Sequence, residues 1–432
     1  MRNFIEYDTA TNIKNLQSKL LKKTIQYVCQ YSPFYQKIFR KQNVNVEKIL
    51  TVDDLVNLPV ISKRDLLEHN KQFICCDKMH SSDIVTTSGS TGLQPIVHPL
   101  TKNDLVRLTY NEYISFMSPP IRNNDFVMLA TALDGSFVAG LAYYLGIKRI
   151  GATIIRAGSK MNIEYEILKK FPVTTIIGVP SNLINLQEYC LNRRMIKGKF
   201  NIEKLILIGE SIRNRDFSLN ALGKRLAECY PNANLYSTYA NTETCVSFCE
   251  CNAKKGGHLH PNLAYIEILD NNNQRVKDGE IGRLVITTFG NQSMPLIRYD
   301  TGDITFTVSE PCECGRTSQR IGPILGREKN IIKIQGVTFS QLQLENLLLC
   351  SDNIVDYCVK VQNGTNGIPF IALWISCKVD DGKELKRIKQ IIWEELRVNV
   401  QVNLCTTEEL MNIQKSIGSR KKVRFINLTN EV

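Results

Sequence analysis

The chain lacks any stretch of about 18 consecutive apolar residues, the minimum for a membrane-crossing helix, so no membrane span is expected. Its opening residues, Met1-Arg2-Asn3-Phe4-Ile5-Glu6-Tyr7-Asp8, have no apolar core and carry acids early, so no secretory signal peptide is expected. There is no internal repeat and no low-complexity segment. The basic residues are spread along the chain, with no arginine-rich arm or aromatic–basic ladder, which speaks against a nucleic-acid partner. The fourteen cysteines follow no regular framework. In a chain this long without a signal, that pattern fits reduced thiols in a cytoplasmic protein.

What is present is globular. The 432 residues are 43% hydrophobic and 22% charged, enough for two or three domains with a full core. The net charge of +12 suits anionic ligands such as nucleotides, coenzyme A or an acidic carrier protein. Apolar spacing in Ile13, Leu16, Leu20, Ile25 and Val28 predicts helix within residues 1–50, interrupted at Tyr31-Ser32-Pro33. Ser62 reads as the cap of a helix after Leu58-Pro59. From 83 to 300, strand-like runs at 126–130, 152–155, 174–179 and 205–209 alternate with helical stretches. That rhythm predicts an α/β fold with a mostly parallel sheet. Residues 266–269 and 282–288 are hairpin-like and suggest a β subdomain. Beyond Gly326, strands at 331–334, 357–361 and 371–376 with helices at 341–349 and 382–396 predict a small C-terminal α+β domain. The expected division is therefore 1–325 and 326–432.

Four motifs carry chemistry. The first is Thr87-Ser88-Gly89-Ser90-Thr91-Gly92, after a strand-like start at 83–86. Its glycines allow close approach to a bulky anion, and its hydroxyls and N–H groups suit phosphate oxygens. It is not a GxxxxGK[ST] loop, because the lysine is missing. The second is Tyr239-Ala240-Asn241-Thr242-Glu243, an aromatic followed by a carboxylate at a strand-to-loop switch. The ring can stack on a base and the carboxylate can hold Mg²⁺. The third, Met294-Pro295-Leu296-Ile297-Arg298-Tyr299-Asp300-Thr301-Gly302-Asp303, ends in a turn that projects Asp303 toward a ribose diol. The fourth is the chain's close, Gly418-Ser419-Arg420-Lys421-Lys422-Val423-Arg424.

In this order the motifs resemble those of the adenylate-forming (acyl-activating) superfamily, and within it the phenylacetate–coenzyme A ligase branch. The early Ser32-Pro33-Phe34-Tyr35 and Leu58-Pro59-Val60-Ile61-Ser62-Lys63-Arg64-Asp65-Leu66 segments share the likeness, which spans residues 30–425. The resemblance implies a two-step reaction with ATP and Mg²⁺. A carboxylic acid becomes an acyl-adenylate, then passes to a thiol. The acceptor is coenzyme A or the phosphopantetheine arm of an acyl or peptidyl carrier protein. Thr87 and the Ser88–Gly92 loop would cradle phosphates. Gly209, Glu210, Tyr239, Ala240 and Asn241 would line the adenine. Asp303 and Arg327 would hold the ribose side, and Glu243, preceded by Thr242, would position Mg²⁺. Lys421 matches the late catalytic lysine, with Lys422 one residue away as the alternative. Lys329 sits at the expected hinge. A catalytically idle scaffold would not need Glu243, Asp303 and Lys421 together. Relatives in this branch are often dimers.

The resemblance places the acid pocket after the strand at 126–130, with Asp134, Phe137, Tyr143 and Tyr144 as candidates. An aryl acid is expected. Asp134 pairs with a substrate ammonium if it faces the pocket, and otherwise caps a helix starting at Ser136. Finally, Cys312 and Cys314 form a chelating turn, and six residues separate Cys251 from His258. Together they offer a Cys₃His set for a structural Zn²⁺, with Cys249 and His260 in reserve.

Overall fold

The computed structural model describes residues 4–76, 81–87, 95–193, 200–334, 337–349, 351, 353–363, 369–379, 382–414 and 423–428. The chain divides into two compact units. The first comprises Met1–Thr87, Pro95–Leu219 and Gly223–Ile324; the second comprises Ser88–Gln94, Asn220–Leu222 and Leu325–Val432.

The first unit opens with helices Ala10–Tyr31 (α1) and Pro33–Lys41 (α2). The expected break after Tyr31 is a single residue. Ser32 is extended and Pro33 restarts the helix at its first position, where the missing N–H costs nothing. Ser62 caps the short helix Lys63–Glu68 (α3) through a reciprocal box with Asp65, and Asn70–Phe73 (α4) follows.

Strands Ser81–Thr86 (β1) and Val97–Thr101 (β2) pair antiparallel, Thr86 opposite Val97. Thr101 then caps Lys102–Phe116 (α5), again with a box residue, Asp104. The central sheet uses Phe126–Ala130 (β3), Thr153–Arg156 (β4), Thr175–Gly178 (β5), Lys204–Ile208 (β6), Asn234–Asn241 (β7) and Val246–Cys249 (β8). Its order is β4-β3-β5-β6-β7-β8, parallel except for β8. Helices Val138–Ile150 (α6), Met161–Lys170 (α7), Pro180–Leu191 (α8) and Ala221–Cys229 (α9) are the crossovers. The apolar run in β3 and the faces of α5 and α6 close one core around Leu108, Phe116, Val127, Leu129, Tyr143 and Ile147.

The β subdomain follows. The short strand Gly257–His258 (β9) precedes Ala264–Leu269 (β10) and Gly282–Thr288 (β11), which form the expected hairpin. Tyr299–Thr305 (β12) adds to β11 with a bulge that opposes Arg283–Val285. Two-residue strands Thr307–Val308 (β13) and Arg320–Ile321 (β14) join β9 in a small sheet. A second core packs α1, α2 and residues 49–73 against Phe289, Met294, Leu296, Ile297 and Tyr299.

Much of the third motif is structural. Arg298 is buried, has φ of 49°, and donates to Glu267 at 3.1 Å and to the Leu58 carbonyl at 2.6 Å. Tyr35 accepts from the Ile297 amide at 2.8 Å.

The second unit carries a hairpin, Ile331–Ile334 with Val337–Ser340, and the helix Gln341–Leu349. Its sheet runs Val400–Leu404, Pro369–Cys377, Ile354–Asn363, Phe425–Asn427, with an antiparallel central pair and parallel outer strands. Helices Lys383–Leu396 and Thr407–Gln414 complete it.

Candidate active site

The hairpin β1–β2 forms the stem of the Ser/Thr/Gly motif. Thr87 closes it: its amide donates to the Ile96 carbonyl at 3.1 Å, and its hydroxyl accepts from the Ile96 amide at 3.1 Å. Ser88, Gly89, Ser90, Thr91 and Gly92 lie outside the described residues, as do Lys421 and Lys422.

The carboxyl end of the parallel sheet gathers the next candidates, the usual location of ligands in open α/β sheets. Gly209 ends β6 with φ of 78°, a left-handed value that glycine adopts without strain. The Glu210 carboxylate accepts from the Ser181 amide at 2.9 Å and the Ser181 hydroxyl at 2.8 Å. It thereby caps α8, whose own N-cap Val179 has no side chain to do so. Tyr239, Ala240 and Asn241 close β7. Asn241 accepts the Thr244 amide at 3.1 Å, and Thr242 accepts the Cys245 thiol at 3.3 Å, tightening the turn that carries Glu243.

Tyr239 and Asp303, 64 residues apart, meet here: the Tyr239 hydroxyl donates to Asp303 Oδ2 at 2.9 Å. The Tyr239 ring stacks on Phe248 with centroids 6.2 Å apart. Asp303 sits on the β12 bulge, where Gly302 has φ of 73° and the Thr301 hydroxyl accepts the Asp303 amide at 3.1 Å. Tyr299 lies beside this group. Its phenol is pushed well up by burial and then by the charges of Glu243, Tyr239 and Asp303.

Glu243 is nearly buried, and its carboxylate meets Lys63 Nζ at 2.8 Å. Lys63 was not singled out in the sequence as a site residue. The available signal was its place in the Leu58–Leu66 segment, four residues past Pro59 and two past Ile61. A buried carboxylate paired with a half-exposed lysine ammonium is suited to exchange that cation for another.

On the acid side, Asp134 is exposed, Phe137 is half-buried and Tyr143 is buried edge-on against Phe116 at 5.3 Å. Tyr144 faces Arg156 at 5.7 Å. Helix α6 starts at Val138, with Phe137 at its N-cap and no side-chain cap, so the expected capping by Asp134 of a helix from Ser136 is corrected. Gly135 and Ser136 instead take left-handed φ values of 62° and 59°, and the Ser136 carbonyl accepts the Thr86 amide at 2.9 Å. That bond joins the candidate acid loop to the stem of the phosphate motif.

Cys251, His258, Cys312 and Cys314 converge, with ligand atoms all within 4.8 Å of one another. Cys251 Sγ and Cys312 Sγ are 3.5 Å apart, and Cys314 Sγ is 3.3 Å from His258 Nε2. Tetrahedral zinc with Zn–S of about 2.3 Å and Zn–N of about 2.0–2.1 Å sets ligand atoms roughly 3.5–3.8 Å apart, so the set fits. The cysteine turn is closed by Cys312 N to Arg316 O at 3.1 Å and Gly315 N to Cys312 O at 2.8 Å. Ser318 Oγ lies 3.4 Å from His258 Nδ1, leaving Nε2 toward the thiols. Arg316 donates to Cys314 Sγ at 3.5 Å and to Glu6 at 2.7 Å. The Cys251 hydrogen bond pulls the Cys314 thiol well below the usual thiol range, with His258 and Arg316 adding to it against burial. The reserve residues lie elsewhere. Cys249 accepts from Thr238 at 3.0 Å, and His260 bonds Glu6.

Arg327 and Lys329 belong to the second unit, the first in the short strand Gly326–Arg327 and the second in the turn Glu328–Asn330.

The family model of AMP-binding enzymes matches residues 8–294. The chain is 28% identical over 353 residues to the phenylacetate-coenzyme A ligase of Thermus thermophilus, covering 80% of this chain and 77% of that protein. It is 23% identical over 436 residues to the phenylacetate-coenzyme A ligase of Aromatoleum evansii, covering 97% and 96%. A crystal structure of 2-hydroxyisobutyryl-CoA ligase in the postadenylation state has the same fold, with a TM-score of 0.83 at 19% identity over 97% of this chain and 90% of that one. The chain thus belongs to the AMP-binding enzyme family, in the phenylacetate–coenzyme A ligase-like branch of the adenylate-forming superfamily.

Proposed function

We propose that this enzyme activates a carboxylic acid with ATP and transfers the acyl group to a thiol. A carboxylate oxygen attacks the α-phosphorus, the bond to the bridging oxygen breaks, and pyrophosphate leaves. The thiolate sulfur then attacks the acyl carbonyl carbon and AMP departs. The observation that supports this reading best is the convergence of Tyr239, Asp303 and Glu243 around Tyr299. In this reading the Asp303 carboxylate accepts from the ribose hydroxyls and Tyr239 flanks the base, its ring already fixed by Phe248. Glu243 would hold Mg²⁺, which cancels phosphate charge when bound. Both reactants in the first step are anions, so positioning and charge cancellation are the main work of the site.

Coenzyme A is the favoured acceptor and an aryl acid the favoured substrate, on the names of the relatives. A carrier-protein arm and an amino acid are the alternatives, the latter only if Asp134 meets the substrate. ATP and acid binding are assigned to the part of the chain up to residue 325. The part from 326 on, with Arg327, Lys329 and Lys421, is assigned the mobile role. Zinc at Cys251, His258, Cys312 and Cys314 would be structural. A cytoplasmic location and a homodimer complete the proposal; no described helix is long and apolar enough to cross a membrane.

ATP–pyrophosphate exchange over a panel of aryl, short aliphatic and amino acids tests the reading. Exchange with one acid class names the substrate; folded, zinc-replete protein that exchanges with none of them would defeat the proposal. Two variants sharpen it. Lys421→Ala is expected to lower exchange about a hundredfold, as loss of a cation beside the α-phosphate should, whereas Lys422→Ala retains it. The reverse pattern moves the role to Lys422. Lys63→Ala is expected to cost about tenfold in exchange, the worth of about one charge-assisted hydrogen bond, with little change in melting temperature because Lys63 is 41% exposed.

A further inference from the structure

Arg107 lies on α5 and is 8% exposed. All three of its nitrogen positions donate to backbone carbonyls. Nε reaches Phe289 O at 2.7 Å, Nη1 reaches Cys245 O at 3.0 Å, and Nη2 reaches Leu263 O at 2.8 Å. The carbonyls come from three separate places: the β7–β8 turn, the segment before β10 and the segment after β11. The last two are also joined directly, Phe289 N to Leu263 O at 2.8 Å.

A planar guanidinium can serve three diverging acceptors at once, whereas an ammonium on a flexible stem cannot hold the same geometry. Burial pulls the Arg107 pKa down to about 10, so the group stays charged at neutral pH. Its targets matter for the site. Cys245 is two residues past Glu243 and has φ of 50°, a left-handed value that strains any residue with a Cβ and persists only when surroundings hold it. Phe289 opens the segment that runs through Met294 to Asp303. One turn earlier on α5, the Asp104 carboxylate accepts from the Gln292 amide at 2.7 Å and the Ser293 amide at 3.1 Å. His98 Nδ1, on the strand leaving the phosphate motif, is 3.7 Å from Cys245 Sγ.

We propose that Arg107 is a positioning residue of the nucleotide site, fixing the turn that carries Glu243 through the Cys245 carbonyl and tying it to the segment that leads to Asp303. The inference rests on the ATP-dependent reading above. Arg107 touches no reacting atom; it acts through backbone.

The test uses the full-length protein with Mn²⁺ and ATP as the probe. Free Mn²⁺ is followed by electron paramagnetic resonance, and Mg²⁺-dependent pyrophosphate exchange runs in parallel. Arg107→Lys keeps the charge and loses the fork; Arg107→Gln keeps part of the fork and loses the charge. Both are expected to weaken Mn²⁺·ATP binding about 10–100-fold and to raise the Mg²⁺ needed for half-maximal exchange by the same factor, as loss of groups that orient metal ligands does. Asp125→Asn is the control. It breaks the buried Lys204 pair (2.8 Å) that ties the residue before β3 to β6, and should lower the melting temperature with unchanged Mn²⁺·ATP affinity.

Folded Arg107 variants that bind Mn²⁺·ATP like the wild type overturn the inference and leave the functional reading standing. A wild type that binds no Mn²⁺·ATP overturns the reading as well. If neither variant folds, hydrogen exchange on the wild type decides. Mn²⁺·ATP should slow the Cys245 and Phe289 amides together, and slowing at Cys245 alone would refute the coupling.

Discussion

Glu243→Gln is expected to lower ATP–pyrophosphate exchange about 10³-fold, the upper end for loss of one preorganised charge in a dry site. The carboxylate is 6% exposed and sits in a turn closed by the Asn241–Thr244 and Thr242–Cys245 contacts. Glutamine has nearly the same shape, so the turn should survive. What disappears is the negative charge that holds Lys63 at 2.8 Å and would hold a phosphate-bound cation. Lys63 is left facing solvent and folding should lose little. The loss should therefore appear in the chemical step and in Mg²⁺ dependence rather than in melting temperature. Exchange kinetics across a Mg²⁺ series, with a thermal melt alongside, measure both. A variant with exchange near wild type at ordinary Mg²⁺ would remove Glu243 from the site. Asp303 offers a contrast, because the Tyr239 hydroxyl donates to it directly. Asp303→Asn should raise the KM for ATP more than it lowers kcat, since the ribose is held alike before and during reaction.

How far the site could be read from the sequence depends on the range of the forces involved. Local signals carried well. Ser62 caps the helix after Leu58-Pro59 as expected, and the apolar run at 126–130 is a strand of the central sheet. The pair 266–269 and 282–288 is a hairpin within β10 and β11. Cys312 and Cys314, visible as a chelating turn, do meet Cys251 and His258. Contacts set by tertiary packing were not visible. Lys63 reaches Glu243 from 180 positions away, and Arg107 binds carbonyls, which leave no trace in side-chain patterns. The strands β9, β13 and β14 have two residues each, too short for any periodicity. Asp134 failed as a cap for a different reason. The backbone turns left-handed at Gly135 and Ser136 to dock on β1, which delays the helix to Val138. A non-glycine residue at positive φ is not something a capping rule anticipates.

If the Cys₃His cluster holds the proposed zinc, its removal is expected to destabilise the first unit by about 4 kcal/mol or more, the range reserved for lost metals and broken buried networks. In melting temperature that is a fall of roughly 5–10 °C. The connectivity explains why. The cluster ties the β8–β9 turn and β9 itself to the turn between β13 and β14, and β9, β13 and β14 pair over only two residues each. Those strands cannot hold register alone. Arg316 extends the tie from Cys314 to Glu6, and the Glu6 carbonyl accepts the Thr317 and Ser318 amides at 2.8 and 3.1 Å. The N-terminal turn is thus fastened to the cluster. Thiols and imidazole bind metal only when deprotonated, so occupancy should fall as pH drops. Purified protein should hold one equivalent of zinc, and Cys312→Ser should hold well under half. A strong chelator should make the bonds around residues 5–9 cleavable by protease before the central sheet is cut. Because β13 follows β12 directly, the metal-free protein should also bind ATP more weakly through a loosened Asp303. Protein without zinc that melts like the zinc-replete form would mean that the four side chains meet for packing alone.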